Sequence, residues 1–195
     1  GGAGRPVVGR VPDGGGADGG NSADRLQLLG DLRNALGTDQ LTINYQPKVD
    51  LASGQVIGTE ALLRWMHPER GNIPPNDFIP LAENTGLIQG LTRYVLEMVC
   101  AQMSEWDRVG TDFAHLPVAV NLSARNLLEP DFAEFLEDIL ASHLIEPDRL
   151  ELEVTESALI EDPIRSHQML HRIAGLGVTL AVDDFSLTIT ARKTM

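Results

Sequence analysis

Four apolar stretches of this chain run into side chains that carry oxygen donors. They are Glu60 in Thr59-Glu60-Ala61-Leu62, Asn121 in Val120-Asn121-Leu122-Ser123, Glu153 in Glu151-Leu152-Glu153-Val154, and the adjacent pair Asp183-Asp184. Carboxylates and an amide oxygen drawn from several segments suit a hard cation such as Mg²⁺ or Mn²⁺. Such ions activate water and stabilise both oxygens of an in-line displacement. Neighbouring aspartates repel one another unless a proton or cation separates them. Taken singly, an acidic residue at a strand end is ordinarily solvated or caps a helix. Four in succession, each after an apolar run, form a pattern that a metal site explains.

These residues need a frame. Leu41 to Leu51 reads as a strand, with Leu41, Ile43 and Tyr45 alternating, and Val56 to Trp65 reads as a second. The turn Ala52-Ser53-Gly54-Gln55 between them is short enough for an antiparallel hairpin. Leu116 to Leu122 is a third strand, apolar enough to be buried on both faces, followed by Arg149 to Thr155 and Val178 to Phe185. Residues 69–76 read as a loop. Phe78 to Glu83 and Ile88 to Val109 are helical, the latter with Leu91, Val95, Met98, Val99, Met103 and Trp106 on one side. Leu127 to Leu144 reads as one helix with Pro130 near its first turn. Asp162-Pro163 starts a further helix that reaches about Gly175. Strands and helices in this alternation imply right-handed βαβ units and a parallel sheet. In a parallel α/β barrel, strand-end residues such as those above gather on the carboxyl-end face. Upstream, residues 1–23 are glycine-rich and are expected to be flexible. Order is expected to begin near Asp24, where Leu26, Leu29, Leu32 and Leu36 repeat at helical spacing.

Composition narrows the function. The 195 residues carry 15 basic and 28 acidic side chains, a formal charge of −13. That field repels a nucleic-acid polymer or an anionic membrane, whereas cations held by carboxylates would still admit a small phosphorylated ligand. Cys100 is the single cysteine and lies among apolar residues, as a buried hydrophobe would. No run is long enough to span a membrane and there is no secretory signal, so a cytoplasmic location is expected, with room for a membrane tether upstream in the intact protein. His167 and His171 stand four apart, yet His167-Gln168-Met169-Leu170-His171 lacks the glutamate of a metalloprotease helix, and a solvated face is the simpler reading. Trp65 and Trp106 read as packing residues.

Several of these segments resemble the EAL-domain family. Tyr45-Gln46-Pro47-Lys48-Val49-Asp50 and Glu60-Ala61-Leu62-Leu63-Arg64-Trp65 look like its opening. Phe78-Ile79-Pro80-Leu81-Ala82-Glu83, Asn121-Leu122-Ser123, Glu153-Val154-Thr155-Glu156 and Asp183-Asp184-Phe185 follow in the family's order. The resemblance implies a TIM-barrel-like (β/α)₈ fold and hydrolysis of the bacterial second messenger cyclic di-GMP to linear pGpG with two Mg²⁺ or Mn²⁺ ions. It implies that Glu60, Asn121, Glu153, Asp183 and Asp184 are metal ligands and that Gln46 and Arg64 contact substrate. An arginine fork suits a phosphate diester. A salt bridge on the barrel rim is the lesser alternative for Arg64, whereas a plain strand-end residue is an equal alternative for Gln46. The family also admits an upstream GGDEF or sensory domain and an EAL homodimer.

The match breaks after Phe185. There the family continues Gly-Thr-Gly-Tyr-Ser-Ser-Leu, and this chain reads Ser186-Leu187-Thr188-Ile189-Thr190-Ala191. The expected organisation is therefore a flexible segment over 1–23, a partial EAL domain over 24–185 with about five of eight strand–helix units, and an unmatched tail over 186–195. The family's water-positioning lysine and a further glutamate ligand have no counterpart here. These 195 residues are expected to be catalytically inactive and poorly stable alone, with an EAL module that binds ligand or a partner as the alternative.

Overall fold

A computed structural model describes the backbone of residues 17–155, 162–183 and 187–189, and the side chains of residues 22–155 and 162–182. Helix α1 runs from Ala17 to Ala35, so it starts ahead of Asp24, where the leucine spacing first signals it. Strands β1 (Leu41–Val49) and β2 (Val56–His67) form the antiparallel hairpin that the short turn predicts, with Leu41 opposite Trp65 and Gln46 opposite Glu60. The Asp50 carboxylate fastens that turn by accepting the Ala52 and Ser53 amides and the Ser53 hydroxyl. Gly54 supplies the left-handed backbone there, at φ 70°.

The stretch expected as a loop over 69–76 contains a short strand. Gly71, at φ 70°, turns the chain back, and β3 (Gly71–Ile73) pairs antiparallel with the end of β2. Helix α2 (Pro75–Thr85) starts on a proline, which loses nothing at a position where the amide has no helical partner. Gly86, at φ 76°, separates it from α3 (Leu87–Val109).

Then follow β4 (Val118–Leu122), α4 (Ala124–Leu127), α5 (Phe132–His143), β5 (Leu150–Thr155), α6 (Pro163–Leu176), β6 (Thr179–Asp183) and β7 (Leu187–Ile189). The single helix expected over Leu127 to Leu144 is thus two. Pro130 has no amide to give and restricts the residue before it, so the chain leaves the helix at Leu128 and re-enters at Phe132. Asp162 caps α6 as its sequence predicts, accepting the Arg165 amide at 3.1 Å.

The sheet runs in the order β1-β2-β4-β5-β6-β7, with β3 added to the end of β2. Neighbours β2, β4, β5 and β6 are parallel, and β1 and β7 are antiparallel additions at the two ends. The two ends do not pair with each other, so the described strands form an open, barrel-like sheet. The main core lies where α3, α5 and α6 cover one face of β4–β6, with Val120, Leu152 and Leu180 side by side in register. A second core joins α1, the hairpin, β3 and α2 through Leu32, Leu41, Trp65, Ile73 and Phe78. Trp65 is fully buried, edge-on to Phe78, and Trp106 packs between Tyr45 and Phe113, so both tryptophans are packing residues. Cys100 is fully buried in the main core, and burial pushes its thiol up to about 12.

Candidate functional site

Strand alternation decides which side chains meet. On β5, Leu150, Leu152 and Val154 point to the helices, which sends Glu151 and Glu153 to the opposite face. Asn121 is in register with Glu153, and Glu60 is in register with Ala119, two residues before Asn121 on the same face of β4. Glu60, Asn121 and Glu153 therefore come from three neighbouring strands onto one side of the sheet, which would be the lumen of a closed barrel. Asn121 Nδ2 donates to Glu60 Oε1 at 2.9 Å. Gln46 stands directly across the hairpin from Glu60 and is exposed. The backbone of Asp183 pairs with Thr155 at the carboxyl end of β5. The Asp183 side chain and all of Asp184 lie outside the described residues.

Arg64 shares the β2 lumen face with Glu60. It donates to the Leu63 carbonyl at 3.0 Å and makes no ion pair among the described residues. It lines a cavity of about 590 Å³ together with Asn121, Asn76, Glu83, Ser123 and Thr155. Glu83 accepts the Ser123 hydroxyl at 2.9 Å within that wall. Gln46, Glu60 and Glu153 are not among its lining residues. The expected residues thus fall into two adjoining groups that share Asn121: a carboxylate–amide group in the lumen and a cavity wall bearing the guanidinium. His167 and His171 are both exposed on α6, away from either.

Two further residues belong to the lumen group. Lys48, on β1, donates to Glu153 Oε1 at 2.6 Å and to Glu151 Oε1 at 2.9 Å. Its place was readable only in part: the alternation puts it on the face of Gln46, and Glu151 on the face of Glu153. Nothing in the sequence says that β1 reaches β5. Burial is the largest influence on Glu153 and raises its proton affinity. The Lys48 ammonium opposes that, and the Glu60 and Glu151 carboxylates reinforce it. For Lys48, burial alone would favour proton loss, but the hydrogen bonds to Glu153 and Glu151 outweigh it and hold the proton more tightly. The two shifts share a cause, an anion-rich and partly dry lumen in which each added positive charge is welcome.

That environment fits a hard divalent cation. Three oxygen donors face one space, and burial disfavours the charge on one of them unless a cation is near. Among the described residues no group of three His, Cys, Asp or Glu side chains converges as a metal cluster.

A parallel sheet backed by helices, with acidic and amide side chains together on its lumen face, defines an α/β-barrel type of site. The family model described as EAL domain matches residues 29–191, and the chain belongs to that family. It is 44% identical over 165 residues to MucR of Pseudomonas aeruginosa, a "bifunctional diguanylate cyclase/cyclic di-GMP phosphodiesterase", covering 85% of this chain and 24% of that protein. It is 42% identical over 160 residues to the Escherichia coli K12 cyclic di-GMP phosphodiesterase PdeR, covering 82% of this chain and 24% of that protein. A solved structure of the PaMucR phosphodiesterase with c-di-GMP superposes with a TM-score of 0.75 at 42% identity, covering 85% of this chain and 66% of that one. The chain spans about a quarter of the length of these curated relatives.

Proposed function

We propose that this chain supplies the cation-binding and substrate-binding part of a cyclic di-GMP phosphodiesterase site. The observation that carries the reading is the convergence of Glu60, Asn121 and Glu153 from three adjacent strands beside the cavity that Arg64 lines. Glu60, Asn121 and Glu153 would hold Mg²⁺ or Mn²⁺, and the family resemblance adds Asp183 and Asp184 as ligands of a two-ion set. When bound, such ions activate water and stabilise the phosphoryl oxygens. Arg64, free of ion pairs among the described residues, offers its guanidinium fork to a phosphate of the diester. Gln46, opposite Glu60, offers an amide to the same ligand. Hydrolysis to pGpG is the reaction this set serves. The reading for these 195 residues is binding without turnover, because Lys48, the lysine on this face, is engaged by two carboxylates and is not free to position water. MucR, named for both a cyclase and a phosphodiesterase, supports an upstream GGDEF domain as a partner in the whole protein. A cytoplasmic setting and an EAL homodimer complete the reading.

Isothermal titration of the chain with cyclic di-GMP, with and without Mn²⁺, tests it. Binding that weakens at least tenfold in Arg64→Ala supports the reading, and absence of binding in both conditions overturns it. Chromatography of the same mixtures tests turnover. A pGpG peak above the metal-free control would refute the expected inactivity of these residues.

A further inference from the structure

We propose that Lys48 is a positioning residue, which fixes the Glu153 carboxylate for a divalent cation by anchoring its Oε1 across the lumen. The inference rests on the reading of Glu153 as a metal ligand given above. In the sheet, β1 and β5 are separated by β2 and β4, so the Lys48 side chain crosses the lumen to reach its partners. Glu151 and Glu153 are two residues apart on one strand face, roughly 6.6 Å along the strand. An ammonium bonded to both therefore lies between their two layers, on the amino-terminal side of Glu153. It takes one oxygen of Glu153, at 2.6 Å, and leaves Oε2 without a hydrogen bond among the described residues.

Charge explains why the lysine does not simply repel the ion. Glu151, at 2.9 Å, offsets the ammonium charge, so the trio retains a net negative charge for the cation. All three side chains are partly enclosed, with 33%, 24% and 17% of the Lys48, Glu151 and Glu153 side chains exposed. Removal of the lysine leaves two carboxylates on one face with no shared counter-ion, and Glu153 loses the contact that fixes its rotamer. Groups that orient a metal ligand in this manner typically contribute about 10–100-fold in metal affinity.

The test is Mn²⁺ binding followed by electron paramagnetic resonance, with thermal melting alongside, in wild type, Glu153→Gln, Lys48→Met, Lys48→Arg and the double variant Lys48→Met/Glu151→Gln. Wild type is expected to bind Mn²⁺ and Glu153→Gln to lose it. Lys48→Met is expected to bind at least tenfold more weakly, and Lys48→Arg to recover most of the affinity. The double variant removes the unpaired carboxylate and should melt near wild type, yet still bind at least tenfold more weakly. If it binds as tightly as wild type, Lys48 only balances charge and the proposal falls. If Lys48→Met binds as tightly as wild type while Glu153→Gln does not, the proposal falls and the metal-ligand reading stands. If wild type does not bind Mn²⁺, both fall.

Discussion

Adjacent residues on β5 should separate stability from binding. Leu152 is fully buried, lies between Val120 and Leu180 in register, and faces the layer built by α5 and α6. Glu153, the next residue, faces the lumen and holds Lys48. Leu152→Ala removes apolar groups worth about 0.8 kcal/mol per methylene and leaves a cavity that close-packed neighbours fill only in part. Together these give a loss of about 3 kcal/mol, within the range of roughly 2–5 kcal/mol for such sites. Domains of this kind are held by only about 5–15 kcal/mol, so the change is large but survivable. Urea unfolding followed by circular dichroism should show a lower midpoint with an unchanged slope. Mn²⁺ affinity measured on the folded variant should stay within about threefold of wild type. Glu153→Gln should do the reverse, abolishing Mn²⁺ binding with less than about 1 kcal/mol lost. The reasoning is refuted if Leu152→Ala costs under about 1 kcal/mol, because the helix-facing layer would then not be the core.

Cys100 should resist modification by a thiol reagent at pH 8 until urea unfolds the chain, since burial pushes its thiol up to about 12; rapid labelling of the native protein would contradict this. Asp107 accepts hydrogen bonds from Arg149, which hold its carboxyl below the ordinary carboxylate value, and it also accepts the His115 amide. Its stabilising contribution is therefore present above about pH 4 and is lost as pH falls through the depressed folded value. Asp107→Asn should flatten that part of a melting-temperature profile measured between about pH 5 and pH 3. Gly58→Ala would place a Cβ 3.0 Å from the Pro117 carbonyl oxygen and 3.2 Å from its ring, and should destabilise by about 1–3 kcal/mol in urea unfolding.

Much of this architecture was legible because local patterns carry it. The alternation of Leu41, Ile43 and Tyr45, the helical face of α3 and the Asp162-Pro163 start all gave elements where the structure has them. Pro130 reads as a first-turn residue because a proline suits that position too, yet its missing amide and its restriction of Glu129 break the helix here. The β3 strand reads as loop in the sequence because it opens on Gly71 and runs straight into Pro74-Pro75. Glu60, Asn121 and Glu153 could be singled out because each is a polar residue set within an apolar strand segment. Lys48 and Glu151 carried no such mark, since their roles depend on which strands face each other across the lumen. Helix α1 is a similar case. Asp24 pairs with Arg70, and Asp31 Oδ2 lies 3.3 Å from the buried His67, contacts that tie α1 to the β2–β3 turn and that no local pattern announces.

The Lys48 bridge also bears on the order in which the molecule assembles. Its two contacts close spans of 103 and 105 residues. The β1–β2 turn closes over only a few residues, and contacts between distant parts of a chain form after the local ones that shorten the search. On this reasoning the hairpin and the β2–β4–β5 ladder are expected to form before the ammonium meets its carboxylates. Weakening the bridge should leave the refolding rate almost unchanged and fall on the unfolding rate instead, the signature of a contact absent from the folding transition state. The lumen face of this protein would then be the last part to form and the first to open.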